Sequence, residues 1–387
     1  MARQLTLVRA PDPSEPGAEA VVRTAVLPAV RACLEGAAPL AVLPAGPSAV
    51  VDAARAALRH DEPVEPGADL VVVTSGSTGR SRAALLSAAA LRASSTAALD
   101  RMGGPGSWLL ALPASAMGGL QVLCRSALAG RMPAVLERGE TLAAGLRRLP
   151  PGDRHYTSLV PTQLRRFLDT EPDALAEFDG VLVGGAATDP ELLDRARRVG
   201  VAVITTYGMT ETAGGCVYDG RPLDGVRVRI DGAGVLLAGP VLAQGYRLDA
   251  VRTAAAFRDG WFVTRDAGSL DGDGRLTVSG RLDDVVITGG VNVAPAAVEA
   301  VLREHPDVED AVVFGRPDDE WGQRVVAAVV PRPRAVPDLT DLRTWVADRL
   351  GAPAAPRELH TIAAVPALHT GKPDRRAVAA AVVEGTR

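Results

Sequence analysis

The sequence predicts an α/β protein with two domains: a large N-terminal α/β domain that includes a β-rich subdomain, and a small C-terminal α+β domain. Between residues 70 and 205, short apolar runs alternate with segments of helical spacing, a pattern typical of a parallel sheet. From about residue 223, Asp-Gly turns separate short strands, which indicates β-hairpins. Helices and strands mix again near the C-terminus. We therefore predict domains at 1–281 and 282–387.

The individual elements follow from hydrophobic spacing and from proline and glycine at the ends of segments. Apolar runs predict strands in the large domain at 70–73, 107–113, 157–160, 180–183 and 201–205. Helical spacing or propensity predicts helices there at 21–34, 49–58, 83–99, 119–128, 161–168 and 190–198. The β-rich part has predicted strands at 226–230, 234–238, 261–264 and 275–279. The small domain has predicted helices at 295–304 and 339–350, strands at 311–314 and 325–330, and Asp338 as a helix N-cap.

Composition excludes several classes of protein. Of 387 residues, 47% are hydrophobic and 23% charged, and the net charge of −4 argues against a general nucleic-acid binder. No apolar run reaches the length of a membrane span, and no export signal is recognisable at the N-terminus. Cys33, Cys124 and Cys216 are far apart and lack metal-ligand spacing, so we expect reduced thiols in a cytoplasmic protein. A homodimer is one candidate assembly.

The nine residues from Thr74 to Arg82, Thr-Ser-Gly-Ser-Thr-Gly-Arg-Ser-Arg, are rich in phosphate-binding groups. Glycines let the backbone approach a ligand closely, amides and hydroxyls donate to phosphate oxygens, and Arg82 offers a planar two-donor group. The spacing of a Walker A loop is absent. Because linkers and turns have the same composition, this segment alone does not establish a nucleotide site.

A second candidate segment, 205–211, follows the apolar run at 201–205 and contains Tyr207, Thr210 and Glu211. Ligands of α/β sheets bind at the carboxyl ends of strands. A hydroxyl beside a carboxylate there could hold a phosphate oxygen and Mg²⁺, which prefers oxygen ligands. Tyr207 could stack on a base. The alternative is an exposed turn with a solvated glutamate.

Lys372 is the one lysine among 42 basic residues. A lysine retained where arginine is used everywhere else indicates a role that needs a compact ammonium group. Chance survival is the alternative explanation.

Five motifs in this order resemble the core motifs of the adenylate-forming superfamily of acyl- and aryl-CoA ligases: 74-TSGSTGRSR-82, 207-YGMTE-211, 264-TRD-266, 280-GRLDDVVITGGVNVAPAAVE-299 and 370-TGKPDR-375. The resemblance extends from about residue 70 to the C-terminus. Within the superfamily, four stretches are similar to the o-succinylbenzoate–CoA ligases of menaquinone biosynthesis: 117-MGGLQVL-123, 158-SLVPTQL-164, 184-GGAAT-188 and 207-YGMTETAGGCVYDGRPLDG-225.

The resemblance implies ATP, Mg²⁺, coenzyme A and a small carboxylic acid as ligands. The β- and γ-phosphates would be held by Thr74, Ser75, Gly76, Ser77, Thr78, Gly79 and Arg82. The adenosine and α-phosphate would contact Gly184, Gly185, Ala186, Tyr207, Gly208 and Thr210, and Glu211 would bind Mg²⁺. Asp266 and Arg281 would hold the ribose hydroxyls, although Asp266 could instead cap a turn.

The catalytic residues implied are Lys372, Thr210 and Glu211, with Lys372 stabilising the negative charge that develops at the α-phosphate. The small domain would be mobile, with Asp283 as the hinge. Gly289 and Gly290 would let the pantetheine of CoA pass close to the backbone, or would only form a turn. The acid would contact Met117, Gly118, Arg125 and Gly208. Arg125 would bind a second carboxylate, or lie on a solvated face or in a structural ion pair.

The chain departs from the superfamily pattern in four places. The phosphate loop ends in Ser81-Arg82, where Pro-Lys is usual, and 115-SAMG-118 replaces a motif that often begins with histidine. Propensity predicts a helix at 83–86, whereas the superfamily has a second hairpin strand there, and we expect the strand. The N-terminal region is shorter than in larger relatives.

The sequence thus predicts a two-step, AMP-forming acid–CoA ligase, with 2-succinylbenzoate as the favoured acid. One alternative is a ligase for another aryl or acyl acid, including an enzyme that loads a carrier protein. The other is a non-catalytic nucleotide-binding module, which retention of Glu211, Asp266 and Lys372 together argues against.

Overall fold

The computed structural model describes residues 3–12, 17–74, 82–232, 234–282, 284–366 and 374–384. The chain divides into two compact units. Unit 1 comprises 1–229, 236–263 and 272–276, and unit 2 comprises 230–235, 264–271 and 277–387. Within the described ranges, no helix combines the length and apolar character needed to cross a bilayer.

The first half of unit 1 alternates strands and helices. Its elements are β1 (Thr6–Arg9), α1 (Ala18–Val21), a π-helical segment (Val22–Val26), α2 (Leu27–Leu34), β2 (Leu40–Leu43), α3 (Ser48–Leu58), β3 (Leu70–Thr74), β4 (Arg82–Leu86), α4 (Ala88–Arg101), β5 (Ser107–Leu110), α5 (Met117–Leu128), β6 (Ala134–Val135) and α6 (Leu142–Leu146).

The second half of unit 1 begins with the same alternation and ends in hairpins. Its elements are β7 (His155–Leu159), α7 (Pro161–Thr170), α8 (Pro172–Ala176), β8 (Gly180–Gly184), α9 (Pro190–Arg198), β9 (Val203–Met209), a 3₁₀ turn (Thr210–Thr212), β10 (Gly214–Tyr218), β11 (Arg221–Pro222), β12 (Arg227–Asp231), β13 (Gly234–Ala238), β14 (Gly245–Tyr246), α10 (Ala250–Ala256), β15 (Phe257–Arg258) and β16 (Trp261–Leu270). Strands β12, β13 and β16 each run across a boundary between the two units.

The largest sheet has seven strands in the order β11-β10-β9-β8-β7-β5-β6. Strands β6, β5, β7, β8 and β9 are parallel, whereas β10 returns antiparallel to β9. Leucine, phenylalanine and alanine side chains of its helices pack with valines of β8 and β9 in one buried core. The predicted parallel α/β core is therefore confirmed, and it brings the carboxyl ends of β8 and β9 to one edge.

A second sheet has the order β1-β2-β3-β4-β14. Strands β3 and β4 form an antiparallel hairpin with Thr74 opposite Arg82, and β14 pairs with β4 so that Tyr246 lies opposite Ala84. The hairpin confirms the expected strand at 83–86. The helix predicted from propensity at 83–99 is wrong over its first turn, because it begins only at Ala88, where the Ser87 side chain caps it.

The third sheet has the order β12-β13-β16-β15, with β17 (Leu276–Arg281) paired to β16. The hairpins predicted from the Asp-Gly turns are present, although β16 extends six residues beyond the predicted end at 264.

Unit 2 has its own core, built on a mostly antiparallel sheet. Its remaining elements are β18 (Val286–Thr288), β19 (Val291–Val293), α11 (Pro295–Arg303), β20 (Val308–Asp318), β21 (Gly322–Pro331), α12 (Leu339–Leu350), a 3₁₀ turn (Ala352–Ala354), β22 (Glu358–Thr361) and α13 (Arg375–Glu384). The long hairpin of β20 and β21 is central, and apolar residues of α11 and α12 pack on one of its faces. Asp338 caps α12 as predicted, accepting from the amides of Thr340 and Asp341.

Candidate active site

The hairpin of β3 and β4 positions two predicted phosphate-binding residues. Thr74 ends β3 and Arg82 begins β4, and Nε of Arg82 donates to Oγ1 of Thr74 at 3.2 Å. The intervening predicted residues, Ser75, Gly76, Ser77, Thr78 and Gly79, lie outside the described ranges. The structure therefore places both ends of the predicted phosphate loop side by side.

Glu211 lies in the 3₁₀ turn that follows β9, and only 4% of its surface is exposed. Its Oε1 accepts a hydrogen bond from the hydroxyl of Tyr246 at 2.7 Å. Nη2 of Arg82 is 3.6 Å from the same oxygen. The alternative of a solvated glutamate in an exposed turn is therefore wrong, because Glu211 is a buried carboxylate held by a phenol and a guanidinium.

Arg82 connects the phosphate hairpin to this carboxylate. Its guanidinium carbon is 5.2 Å from the ring centroid of Tyr246, so it lies over the aromatic face while contacting Thr74 and Glu211. A cation over an aromatic ring gains additional attraction from the ring electrons. The sequence indicates Arg82 as a phosphate ligand, and the structure shows that it also compensates the buried charge of Glu211.

The carboxyl ends of β8 and β9 carry the residues predicted to hold adenosine. Gly184 pairs with Thr206, and a Cβ at position 184 would lie 2.2 Å from Oγ1 of Thr206. Gly185, which has a φ of 83°, and the exposed Ala186 follow directly. Close packing against Thr206 therefore requires glycine at position 184, and the exposed Gly185 and Ala186 leave this edge of the sheet accessible.

On β9, Tyr207 is half-buried. At the next residue, Gly208, the backbones of β9 and β10 approach closely. A Cβ on Gly208 would lie 2.1 Å from the carbonyl oxygen of Gly214 on β10. Glycine is therefore required there by packing between strands, which also accounts for its place in the motif. The side chain of Thr210 is half-buried, and this residue directly precedes Glu211.

Helix α5 carries the predicted acid-binding residues. Met117 is buried at its first position and Gly118 is exposed beside it, both shortly after the carboxyl end of β5. Arg125 lies about two turns further along the same helix. The three residues therefore share one helix but lie at different depths in unit 1.

The side chain of Arg125 is enclosed by aromatic residues, and 3% of the residue is exposed. Nη2 donates to the hydroxyl of Tyr218 at 3.1 Å, and the guanidinium carbon is 5.0 Å from the ring centroid of Trp108. Nε of Arg125 has no hydrogen-bond partner, and no carboxylate among the described residues forms an ion pair with it. The solvated-face and ion-pair alternatives for Arg125 are therefore both wrong.

Two predicted ribose ligands lie in unit 2. Asp266 is buried in β16, and Nη1 of Arg281 is 3.6 Å from its Oδ1. The structure brings these two residues together as a carboxylate–guanidinium pair within unit 2.

The predicted CoA residues Gly289 and Gly290 form the turn between β18 and β19, with φ values of 55° and 77°. A Cβ on Gly289 would lie 2.8 Å from a ring carbon of Trp321, so this turn is restricted to glycine. Asp283, the predicted hinge, and Lys372, the predicted catalytic lysine, lie outside the described ranges. Just after Lys372, Arg375 forms a two-pronged ion pair with the buried Glu299 and contacts Asp284 at 3.3 Å.

Tyr246 is the site residue that sequence reasoning missed. It lies 35 residues after Glu211, in a two-residue strand with no recognisable motif spacing. Its one sequence signal is rarity, since the chain contains four tyrosines.

Comparison with known proteins identifies the family. The family model described as AMP-binding enzyme matches residues 12–243, and the model described as AMP-binding enzyme C-terminal domain matches residues 297–372. A protein of Mycobacterium tuberculosis (strain CDC 1551 / Oshkosh), named probable 2-succinylbenzoate–CoA ligase, is 47% identical over 366 residues. That alignment covers 91% of this chain and 94% of the relative.

Solved structures support the same fold. MenE of Bacillus subtilis in complex with ATP and magnesium ion superposes with a TM-score of 0.80 at 23% identity, covering 97% of this chain and 88% of that one. A variant of Escherichia coli MenE with bound OSB-AMS gives a TM-score of 0.76 at 26% identity, covering 99% and 88%. The predicted adenylate-forming fold and the resemblance carried by the five motifs are confirmed. The chain belongs to the AMP-binding enzyme family.

Proposed function

We propose that this protein is an ATP-dependent acid–CoA ligase that acts in two steps. In the first, a carboxylate oxygen of the acid attacks the α-phosphorus of ATP, the bond to the bridging oxygen breaks, and pyrophosphate leaves. In the second, the thiolate of CoA attacks the carbonyl carbon of the acyl-adenylate and AMP leaves with the electron pair. The observation that carries this proposal is the cluster of three residues: Thr74 at the end of β3, Arg82 at the start of β4, and buried Glu211 in the turn after β9.

Residues of unit 1 would bind both the phosphates and the adenine of ATP. The phosphate hairpin with Arg82 would hold the β- and γ-phosphates, and Thr210 would hold the α-phosphate. The open edge at Gly184, Gly185 and Ala186 would accommodate adenine, beside Tyr207 and Gly208. The paired Asp266 and Arg281 would hold the ribose hydroxyls, with a carboxylate acceptor and a guanidinium donor.

The donor set around Glu211 fits Mg²⁺. A buried carboxylate in which Oε2 accepts no hydrogen bond from any described residue is suited to a hard cation. Bound Mg²⁺ would neutralise phosphate charge. Arg82, which now compensates Glu211, would then be available to the phosphates.

Lys372 would act only in the first step, by placing a compact ammonium group beside the oxygens that gain charge at the α-phosphorus. We propose domains at 1–281 and 282–387, with rotation about Asp283 withdrawing Lys372 before the second step. Gly289 and Gly290 would then border the path of pantetheine. Division into two steps replaces one difficult acyl transfer by two easier ones.

The acid that we propose is 2-succinylbenzoate, for which the Mycobacterium tuberculosis relative is named. This acid has two carboxylates, and the one that is not activated needs a cationic partner. Arg125 is our candidate, because a buried guanidinium without an anionic partner costs free energy that a bound carboxylate would recover. The acid would extend along α5 from Met117 and Gly118, with Gly208 facing it from β9.

Arg125→Ala is expected to raise KM for 2-succinylbenzoate by at least about tenfold and to leave KM for ATP unchanged. The loss follows from removal of a charged donor to the second carboxylate. Steady-state kinetics with each substrate varied in turn measure both constants. Arg101→Ala is the matched control, because Arg101 is exposed on α4 and its side chain donates to the carbonyl of Pro222. An unchanged KM for the acid in Arg125→Ala would exclude this role.

A pyrophosphate-release screen over aryl and acyl acids, followed by mass measurement of the thioester, tests the proposed function. We expect 2-succinylbenzoate to give the highest rate and a CoA thioester of the corresponding mass. A higher rate with another acid would contradict 2-succinylbenzoate as the substrate. Acyl transfer to a carrier protein but not to CoA would contradict the assignment as a CoA ligase.

We further propose a cytoplasmic location, supported by the free, buried state of Cys33, Cys124 and Cys216.

A homodimer is the assembly to test first by light scattering, since two-fold pairs are the commonest oligomers of soluble proteins.

A further inference from the structure

A tyrosine hydroxyl holds the predicted metal-binding carboxylate. Tyr246 and Glu211 are both buried, and their oxygens are 2.7 Å apart. The phenol O–H of Tyr246 donates this hydrogen bond, and Oε1 of the Glu211 carboxylate accepts it.

Tyr246 is itself fixed by three contacts within unit 1. Its strand pairs with β4, which also carries Arg82. Its backbone N–H donates to Oγ1 of Thr253 at 2.9 Å. Its ring meets Phe257 edge to face, with centroids 6.0 Å apart. The hydroxyl therefore approaches Glu211 from a set direction.

The two oxygens of Glu211 have different surroundings. Oε1 receives the Tyr246 hydroxyl and is close to Arg82, whereas Oε2 accepts no hydrogen bond within the part of the chain that the structure describes. The carbonyl oxygen of Glu211 accepts from the amide of Ala243 at 2.8 Å, which fixes the backbone of the turn. A carboxylate anchored in this way presents its second oxygen in one orientation.

We propose that Tyr246 is a positioning residue for Mg·ATP, which fixes Oε1 of Glu211 and leaves Oε2 for the metal ion. The inference rests on the proposed function, because it takes Glu211 as the residue that binds Mg²⁺. Hydrogen-bond partners of metal-binding side chains commonly set the affinity of the site. Because Tyr246 acts through Glu211, only the ATP-dependent step depends on it.

Tyr246→Phe tests this proposal because it removes only the hydroxyl. Calorimetric titration of the intact protein with ATP, once with Mg²⁺ and once with EDTA, separates metal-dependent from metal-independent binding. We expect affinity for Mg·ATP to fall by about tenfold, and affinity for ATP in EDTA to remain unchanged. The Mg²⁺ concentration that gives half-maximal ATP–pyrophosphate exchange is expected to rise by a similar factor. Thioester formation from synthetic acyl-adenylate is expected to keep its rate.

Tyr156→Phe is the matched control, since the hydroxyl of Tyr156 donates to the carbonyls of Met102 and Gly104, away from the site. We expect this variant to lose thermal stability without any change in Mg²⁺ dependence. Equal affinities of Tyr246→Phe and the unmodified protein for Mg·ATP would overturn the inference, as would an equal loss with and without Mg²⁺. If the unmodified protein bound no Mg·ATP, the proposed function itself would fail, which is a distinguishable result.

Discussion

Lys372→Ala is expected to lower the rate of adenylate formation by about 10²–10³-fold. The physical reason is that the transition state carries negative charge on the oxygens around the α-phosphorus, and a positioned ammonium stabilises that charge more than it stabilises bound ATP. ATP–pyrophosphate exchange with 2-succinylbenzoate measures this half-reaction. Conversion of synthetic acyl-adenylate and CoA to thioester measures the other, and it is expected to be retained.

Lys372→Arg distinguishes charge from geometry. A guanidinium keeps the positive charge but places it on a longer, forked group, so we expect most of the loss to remain. This result would also explain why the one lysine of the chain stands at this position among 42 basic residues. An equal loss of both half-reactions in Lys372→Ala would contradict a role confined to adenylation.

Glu211→Gln is expected to reduce adenylate formation by about 10²–10³-fold, because one neutral amide replaces the charged oxygen ligand that we assign to Mg²⁺. The amide oxygen still accepts from Tyr246, so the hydrogen bond that holds this side chain is kept. Excess Mg²⁺ is expected to recover part of the exchange rate. Measurement of exchange over a range of Mg²⁺ concentrations shows both effects.

Glu171→Gln is the matched control for Glu211→Gln. The carboxylate of Glu171 accepts from the amides of Leu142 and Ala143 at 2.9 and 3.1 Å, so it also holds a backbone segment, the start of α6. We expect this variant to lose stability but to keep its Mg²⁺ dependence. A Glu211→Gln variant with the exchange rate and Mg²⁺ requirement of the unmodified protein would remove Glu211 from the proposed metal site.

The parallel core could be predicted because its strands and helices carry regular spacing. The apolar runs at 180–183 and 201–205 became adjacent strands, and Pro190–Arg198 became the helix between them. The segment at 83–86 could not be predicted from propensity, because alanine and leucine favour helix whereas pairing with β3 imposes an extended backbone. The resemblance to a family gave the correct strand there.

The candidate site could be predicted in part. Thr74, Arg82 and Glu211 were found because motifs mark the ends of their strands, and the structure brings them together. Tyr246 was missed because it joins the site through a two-residue strand that pairs only in the folded sheet. The burial of Arg125 was also missed, because spacing places it on α5 but does not show that Trp108 and Tyr218 enclose it.

ATP–pyrophosphate exchange by the intact protein, with Mg²⁺ present and CoA absent, tests the two-step reaction most directly. We expect exchange that requires 2-succinylbenzoate and does not require CoA, since adenylate formation precedes the entry of the thiol. Formation of the CoA thioester without any exchange in the absence of CoA would contradict the two-step reaction.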